Sequence, residues 1–261
     1  MINQKKFVEV AEQLISSGYC YLPFPIYTSI PMEIYRGFNR LLDEDIVFKK
    51  KCTFNTKGTD EPNEGLVVRK GSQVHPDFKA YWHYTPGLDD FFSHNLNVRY
   101  KEWLEKLSAL YKTAHHHSIA LAIALDTVTS EQYSFADNVI DAQMTFKSML
   151  RVNKYYRQPL DRDLATSHVD KSLFTFRLHS THENLFVKKE FEECKVHPPE
   201  GHILVLTGNE MASITGGTFV GNKRYEKATI EATSYRVKNT EDTVQNSILF
   251  FAHTDLILPY E

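Results

Sequence analysis

The chain has 261 residues, 42% hydrophobic and 24% charged, enough for one large domain or two small ones of soluble, globular composition. A net charge of -3 gives no electrostatic case for a nucleic acid or an anionic membrane as partner, and no apolar run approaches the roughly 20 residues of a bilayer span. Three scattered cysteines, Cys20, Cys52 and Cys194, argue against a disulfide framework or zinc ribbon, and the charged start MINQKKFVEVAEQL is unlike a signal peptide; both point to the cytoplasm.

Apolar residues at Phe7, Val8, Val10, Ala11, Leu14 and Ile15 predict an amphipathic helix over residues 3–17, ended by Gly18. Tyr19 to Leu22 reads as a short strand, and Pro31 to Leu42 as a second helix with Ile34, Phe38, Leu41 and Leu42 on one face. Residues 48–85 are polar and punctuated by Gly and Pro, which predicts a surface excursion with short strands near Gly65–Val68 and Tyr81–Tyr84. The basic run Lys49-Lys50-Lys51 is too short to be more than a solvated face. Leu96 to about Leu125 carries the longest helical pattern, and its triplet His115-His116-His117 reads as helix surface. Three successive helical side chains point about 100° apart and cannot converge on one ion.

From Ala142 onward the pattern changes to short, β-prone, turn-bounded segments: residues 144–156, 173–178, 185–187, 203–207, 229–238 and 246–253. Helices first and strands after predict a mainly β fold with N-terminal helices, a sandwich or barrel inside a helical shell. No repeat or long linker divides the chain, so residues 1–261 are expected to form one domain: shell and N-terminal strands in 1–141, β core in 142–261.

Within that core lies His168-Val169-Asp170. An imidazole and a carboxylate two residues apart on a strand project to the same face. They supply two of the three donors of a 2-His-1-carboxylate iron site. Around the tripeptide, Asn153 and Tyr155 lie upstream. Ser172 to Leu178, Asn184 to Val187, Gly201 to Gly208, Thr215 to Gly217, Tyr235 to Val237 and Gln245 to Phe251 lie downstream.

In this order the segments resemble the isopenicillin N synthase-like branch of the non-heme iron, 2-oxoglutarate-dependent oxygenases. That family runs N-x-Y, H-x-D, S-L-x-T-x-L, N-L-x-V, a Gly-bounded strand, T-N-G, H-R-V, and R-x-S before two phenylalanines. The likeness covers about residues 145–254. It implies a double-stranded β-helix, a jelly-roll barrel with iron inside its open end, held here by His168 and Asp170.

Two positions depart from the pattern. Tyr235 stands where the family has its second metal histidine, and no histidine occurs between Ile203 and Ala252 to replace it. Gln245 stands where the family has the R-x-S arginine, with Ser247 retained. Exchanging a guanidinium for an amide gives up charge-assisted bonds of about 1.5–3 kcal/mol for a neutral one of roughly 1. This argues against ordinary 2-oxoglutarate use. Arg177, Arg151 and Tyr155 are candidates to compensate. Arg177 is a weak one, since it lies nine residues after His168 and an odd offset faces away in a regular strand.

Tyr235 is either a phenolate ligand, giving a one-imidazole, two-anion site suited to an oxidised metal, or a donor beside the ligands. In the second case the third ligand is water or one of His179, His182, His202 and His253, with His202 best placed. An insertion around Phe219 to Ile230, bearing Lys223, Arg224 and Lys227, predicts an extended hairpin near the mouth.

The favoured reading is a metal-dependent oxidase or oxygenase using O2 on a small molecule, its metal iron or another transition metal. Tyr235 is its additional catalytic residue, and Asn153, Tyr155, Gln245 and Ser247 contact substrate. The alternatives are a catalytically inactive β-helix binding module and a 2-oxoglutarate dioxygenase with a relocated anchor. Oligomeric state is not encoded in any of these features.

Overall fold

The computed structural model describes residues 4–26, 29–54, 64–70, 78–89, 100–129, 133–144, 147–160, 162–189, 192–216 and 230–255. The hairpin expected around Phe219 lies outside them. The first two helices follow their apolar spacing. Helix α1 (Gln4–Ser17) buries Phe7, Val10, Ala11 and Leu14, and α2 (Ser29–Leu42) buries Pro31, Ile34, Tyr35, Phe38 and Leu41. Gly18 closes α1 at φ +74°, its amide donating to the Leu14 carbonyl at 2.8 Å.

The long helix, α4 (Lys101–Val128), lies against both. Trp103 donates from Nε1 to the Ile34 carbonyl at 3.0 Å. It sits so close over Gly37 that a Cβ there would fall 2.2 Å from the indole ring. The helix before it, α3 (Ile46–Lys51), is one short segment capped by Asp45. Helix α5 (Phe135–Met144), which the periodicity did not reveal, is tied to α4 by Asp126, whose carboxylate accepts the Phe135 and Ala136 amides at 2.7 and 2.8 Å. Of the histidine triplet only His116 is exposed. His115 is buried beside Tyr111 and Phe250, and His117 packs between Phe7 and Phe24. The helix therefore buries one and half-buries another of three residues expected on its surface, because its partners cover more than one stripe.

Among the described residues, twelve strands form two antiparallel sheets. The larger has the order β1-β10-β7-β12-β5-β4-β3-β2, the smaller β6-β11-β8-β9. Their bounds are β1 Tyr19–Pro23, β2 Thr53–Phe54, β3 Glu64–Lys70, β4 Phe78–Tyr84, β5 Met149–Tyr155 and β6 Asp163–His168. The rest are β7 Phe174–Ser180, β8 Leu185–Lys189, β9 Glu192–Lys195, β10 His202–Thr207, β11 Tyr235–Lys238 and β12 Gln245–Ala252. A short helix, α6 (Asn209–Ile214), follows β10.

Helices and strands therefore interleave rather than following one another. Residues 64–70 and 78–84 form strands where short ones were expected, but they extend the main sheet rather than a surface excursion, with Trp82 and Tyr84 fully buried. Their polar flanks hid how apolar and aromatic this part of the sheet is.

Side-chain alternation explains how one sheet serves two cores. Val152, Ile248, Phe250, Phe174, Phe176, Val205 and Trp82 face the helices and join their core. The opposite face turns toward the small sheet, where Tyr155, Leu204 and Leu206 meet Leu164, Leu185, Val187, Tyr235 and Val237. No helix among the described residues is long and apolar enough to cross a membrane.

Candidate metal centre

His168 ends β6, and Tyr235 begins β11 directly opposite it in the antiparallel register. Their rings lie 4.5 Å apart, centre to centre. His168 Nδ1 is 2.7 Å from the Thr166 carbonyl oxygen. A carbonyl only accepts, so Nδ1 carries the hydrogen and the lone pair is on Nε2. That nitrogen faces Asp170 Oδ1 at 3.6 Å, too far for a hydrogen bond.

The other carboxylate oxygen of Asp170 is engaged twice, accepting from Thr175 Oγ1 at 2.6 Å and from Tyr235 Oη at 2.8 Å. Burial first, and the Asp170 charge second, push the Tyr235 phenol well above its ordinary range. It is a protonated donor to Asp170 in this arrangement. His168 Nε2 and Asp170 Oδ1 are left as two donors with lone pairs on the same side, their orientations fixed from behind.

The turn carrying Asp170 is packed against the end of β10. Asn209 donates its amide to the Asp170 carbonyl at 2.8 Å, and Gly208 donates to the Leu173 carbonyl at 3.0 Å. A Cβ on Gly208 would lie 1.9 Å from the Ser172 carbonyl oxygen and 3.0 Å from that of Asp170. Glycine is required there by close approach of two backbones.

The inner face of the large sheet continues the site. Gln245 pairs with Tyr155 and Ser247 with Asn153 across β12 and β5, which puts all four residues on one face in two adjacent rows. Asn153 donates to Ser247 Oγ at 3.1 Å. Gln245 Oε1 accepts a short hydrogen bond from Asn184 Nδ2. Asn153 Oδ1 and Gln245 Nε2 are buried without a partner. The Lys79 ammonium lies 5.6 Å from the Tyr155 ring centre.

In the next row His83, Arg151, Leu249 and Arg177 are in register across β4, β5, β12 and β7. Arg151 donates from Nε to His83 Nε2 at 2.6 Å and lies over the Tyr81 and Phe251 rings.

Arg177 thus faces the site, against the parity argument that turned it away. The strand does not run continuously from His168: β6 stops there, a turn intervenes, and β7 starts afresh at Phe174. Thr175, two residues before Arg177, touches Asp170 and would have given the correct phase. It was present in the S-L-x-T-x-L likeness as the fixed threonine.

The candidate third histidines are engaged elsewhere. His179 bonds the Tyr35 hydroxyl at 3.0 Å, His182 lies 3.3 Å from Glu241, His202 lies 3.0 Å from the Glu200 carbonyl, and His253 lies 2.8 Å from Glu210. No cluster of three or more His, Cys, Asp or Glu suited to a metal occurs among the described residues. The donor set present fits two protein ligands, with remaining positions open to water or a bound molecule.

Solved structures share this arrangement of strands and helices. The dioxygenase for auxin oxidation 1 of Arabidopsis thaliana, solved with 2-oxoglutarate, superposes with a TM-score of 0.76 at 15% identity over 100% of this chain and 92% of its own. A Neurospora crassa protein solved with alpha-KG and thymine gives 0.72 at 16% identity over 97% and 81%. A protein assigned to the 2OG-Fe(II) oxygenase family from Caulobacter crescentus gives 0.71 at 21% identity over 96% and 84%. No protein-family model and no curated relative matches the sequence. The resemblance read from the sequence therefore holds at the level of the fold, which this chain shares with these proteins.

Proposed function

We propose that the protein is a non-heme iron oxygenase or oxidase acting on a small molecule, its two sheets closing as a double-stranded β-helix around the site. The observation that carries this reading is the pairing of His168 Nε2 with Asp170 Oδ1 at 3.6 Å, each held by a hydrogen bond on its far atom. A structural ion pair would close to hydrogen-bond distance; two lone pairs held slightly apart suit a cation between them.

His168 and Asp170 hold the metal in this reading. Iron there supplies the coordination and electrons that O2 needs to react with an organic substrate. Tyr235 and Thr175 keep the Asp170 carboxylate turned so that Oδ1 faces His168, and the buried phenol limits water behind it. Asn153, Tyr155, Gln245 and Ser247 line the inner face that receives the substrate. The Arabidopsis and Neurospora proteins were solved with 2-oxoglutarate; here Gln245 cannot form the charged pair an arginine forms. Free, scattered cysteines favour a cytoplasmic setting.

A second reading, a binding module without metal, is favoured by the lack of a third protein ligand among the described residues. Anaerobic reconstitution with Fe(II), followed by metal analysis, separates the two. Stoichiometric iron lost in a His168→Ala, Asp170→Ala variant supports the oxygenase, and no retained metal refutes it. Oxygen uptake with and without 2-oxoglutarate then defines the co-substrate.

A further inference from the structure

We infer that Arg177 is the anchor for a ligand carboxylate, so that this site takes an acidic small molecule. The inference rests on the metal-site reading only for where the ligand's reactive end lies.

Arg177 stands on the inner face of β7 and is 9% exposed. A guanidinium removed from water needs a counter-charge or a full set of acceptors. It has neither among the described residues. Its Nη2 donates to Ser180 Oγ at 2.7 Å and to Asn184 Oδ1 at 3.4 Å. Burial disfavours its cationic form, and the groups beside it that favour that form are the phenols of Tyr155, Tyr235 and Tyr35, not a carboxylate. Three of its five N–H groups thus have no protein acceptor among these residues.

The neighbouring amide repeats the pattern. Asn184 joins Arg177 to Gln245, and Gln245 Nε2 is buried with no acceptor among the described residues. A guanidinium and an amide N–H, bridged by one asparagine and both short of acceptors, define a place for an anionic oxygen ligand. A carboxylate suits it, since a planar fork of N–H groups accepts two oxygens at once. Arg151 lies in the same row two strands away, with Leu249 between, so a second guanidinium shares the face. Asp170 Oδ2 at this site is already taken by Thr175 and Tyr235.

Two sources of carboxylate fit this chemistry, a keto-acid co-substrate and an acidic substrate. Titration calorimetry of the full chain with 2-oxoglutarate and, separately, phenylacetate, each with and without Mn(II), tells them apart. At least one is expected to bind. Arg177→Met should weaken that ligand by tenfold or more, Arg177→Lys by less. Arg177→Met should also leave the ligand-free melting temperature unchanged or higher, because it removes a buried, unpaired charge.

Binding of neither ligand, an affinity unchanged in Arg177→Met, or a lowered ligand-free melting temperature overturns the assignment. The last outcome makes the guanidinium a structural tie. Metal analysis of the same samples keeps the two readings separate. Carboxylate binding that depends on Arg177 in a protein without metal removes the oxygenase and leaves the anchor. Bound metal with binding indifferent to Arg177 does the reverse.

Discussion

Tyr235 donates its hydroxyl hydrogen to Asp170 Oδ2 at 2.8 Å while facing His168 across the register of β11 and β6. The residue that stands where the resembled pattern has its second histidine therefore reaches His168 and the candidate site through the Asp170 carboxylate. A phenol here holds the aspartate still, and burial keeps that phenol protonated.

Removing this hydroxyl should loosen the site without unfolding the chain. Tyr235→Phe keeps the ring against His168 and deletes one of two donors to Asp170 Oδ2. Hydrogen-bonding partners of metal ligands typically contribute 10–100-fold in affinity, so anaerobic Fe(II) or Mn(II) titration should show a loss of about tenfold. Tyr235→His should act oppositely and tighten binding, since it sets a second imidazole beside the first.

Gly208→Ala should disrupt the Asp170 turn from behind. Its Cβ would stand 1.9 Å from the Ser172 carbonyl oxygen, which is backbone and cannot rotate away. Overpacking of this kind costs about 1–3 kcal/mol. Urea denaturation should report that loss, and metal affinity should fall with it. Ala at Gly201, where nothing lies within 4 Å, meets no such clash, although φ +73° strains it.

Asp126→Ala should loosen α5 from α4. Two amides lose their acceptor at the start of α5, at a cost of about 0.5–2 kcal/mol by the usual worth of an N-terminal cap. Hydrogen exchange of the Phe135 and Ala136 amides should accelerate, and the β core should stay protected.

Acidification should weaken the fold through His179. Burial, and then the nearby Arg177 charge, hold its pKa below the ordinary value of 6.5, with Tyr35 as hydrogen-bond partner. Below about pH 6.5 the unfolded chain takes up a proton that the folded chain refuses, so stability falls as pH drops toward the folded pKa. His117, lowered mainly by burial, acts in the same direction. The urea midpoint should decline from pH 7.5 to 5. His179→Gln should lessen the decline; an identical pH profile in that variant would refute the role of His179.

Much of this fold was legible because period and punctuation agreed. Phe7, Val10, Ala11 and Leu14 marked α1, and Gly18 marked its end. His168 and Asp170 were legible as a pair, and their neighbours Asn153, Tyr155, Gln245 and Ser247 fell on one face as the strand pattern required. Strands β3 and β4 were legible as short strands but not as part of the main sheet, since polar sequence flanks them and their partner β5 lies far along the chain. Arg177 was misplaced because counting by twos carries phase only within an unbroken strand. The position of Tyr235 was read correctly, but its hydrogen bond to Asp170 depends on the turn at residues 169–173, which no periodicity describes.

The pairing of β12 with β7 skips one residue near Ile248 and Leu249: Ser247 lies opposite Ser180, yet Leu249 lies opposite Arg177. Two residues three apart in sequence thus meet on one side, Arg177 Nη2 donating to Ser180 Oγ at 2.7 Å. Regular pairing from Ser180 would carry Arg177 opposite Phe250, into the oily layer beneath the helices. In β7, then, the number of residues matters independently of their identity. Deleting Leu178 would take out the unpaired residue itself and leave Arg177 opposite Leu249 by regular pairing, a change of length that no substitution at that position can produce.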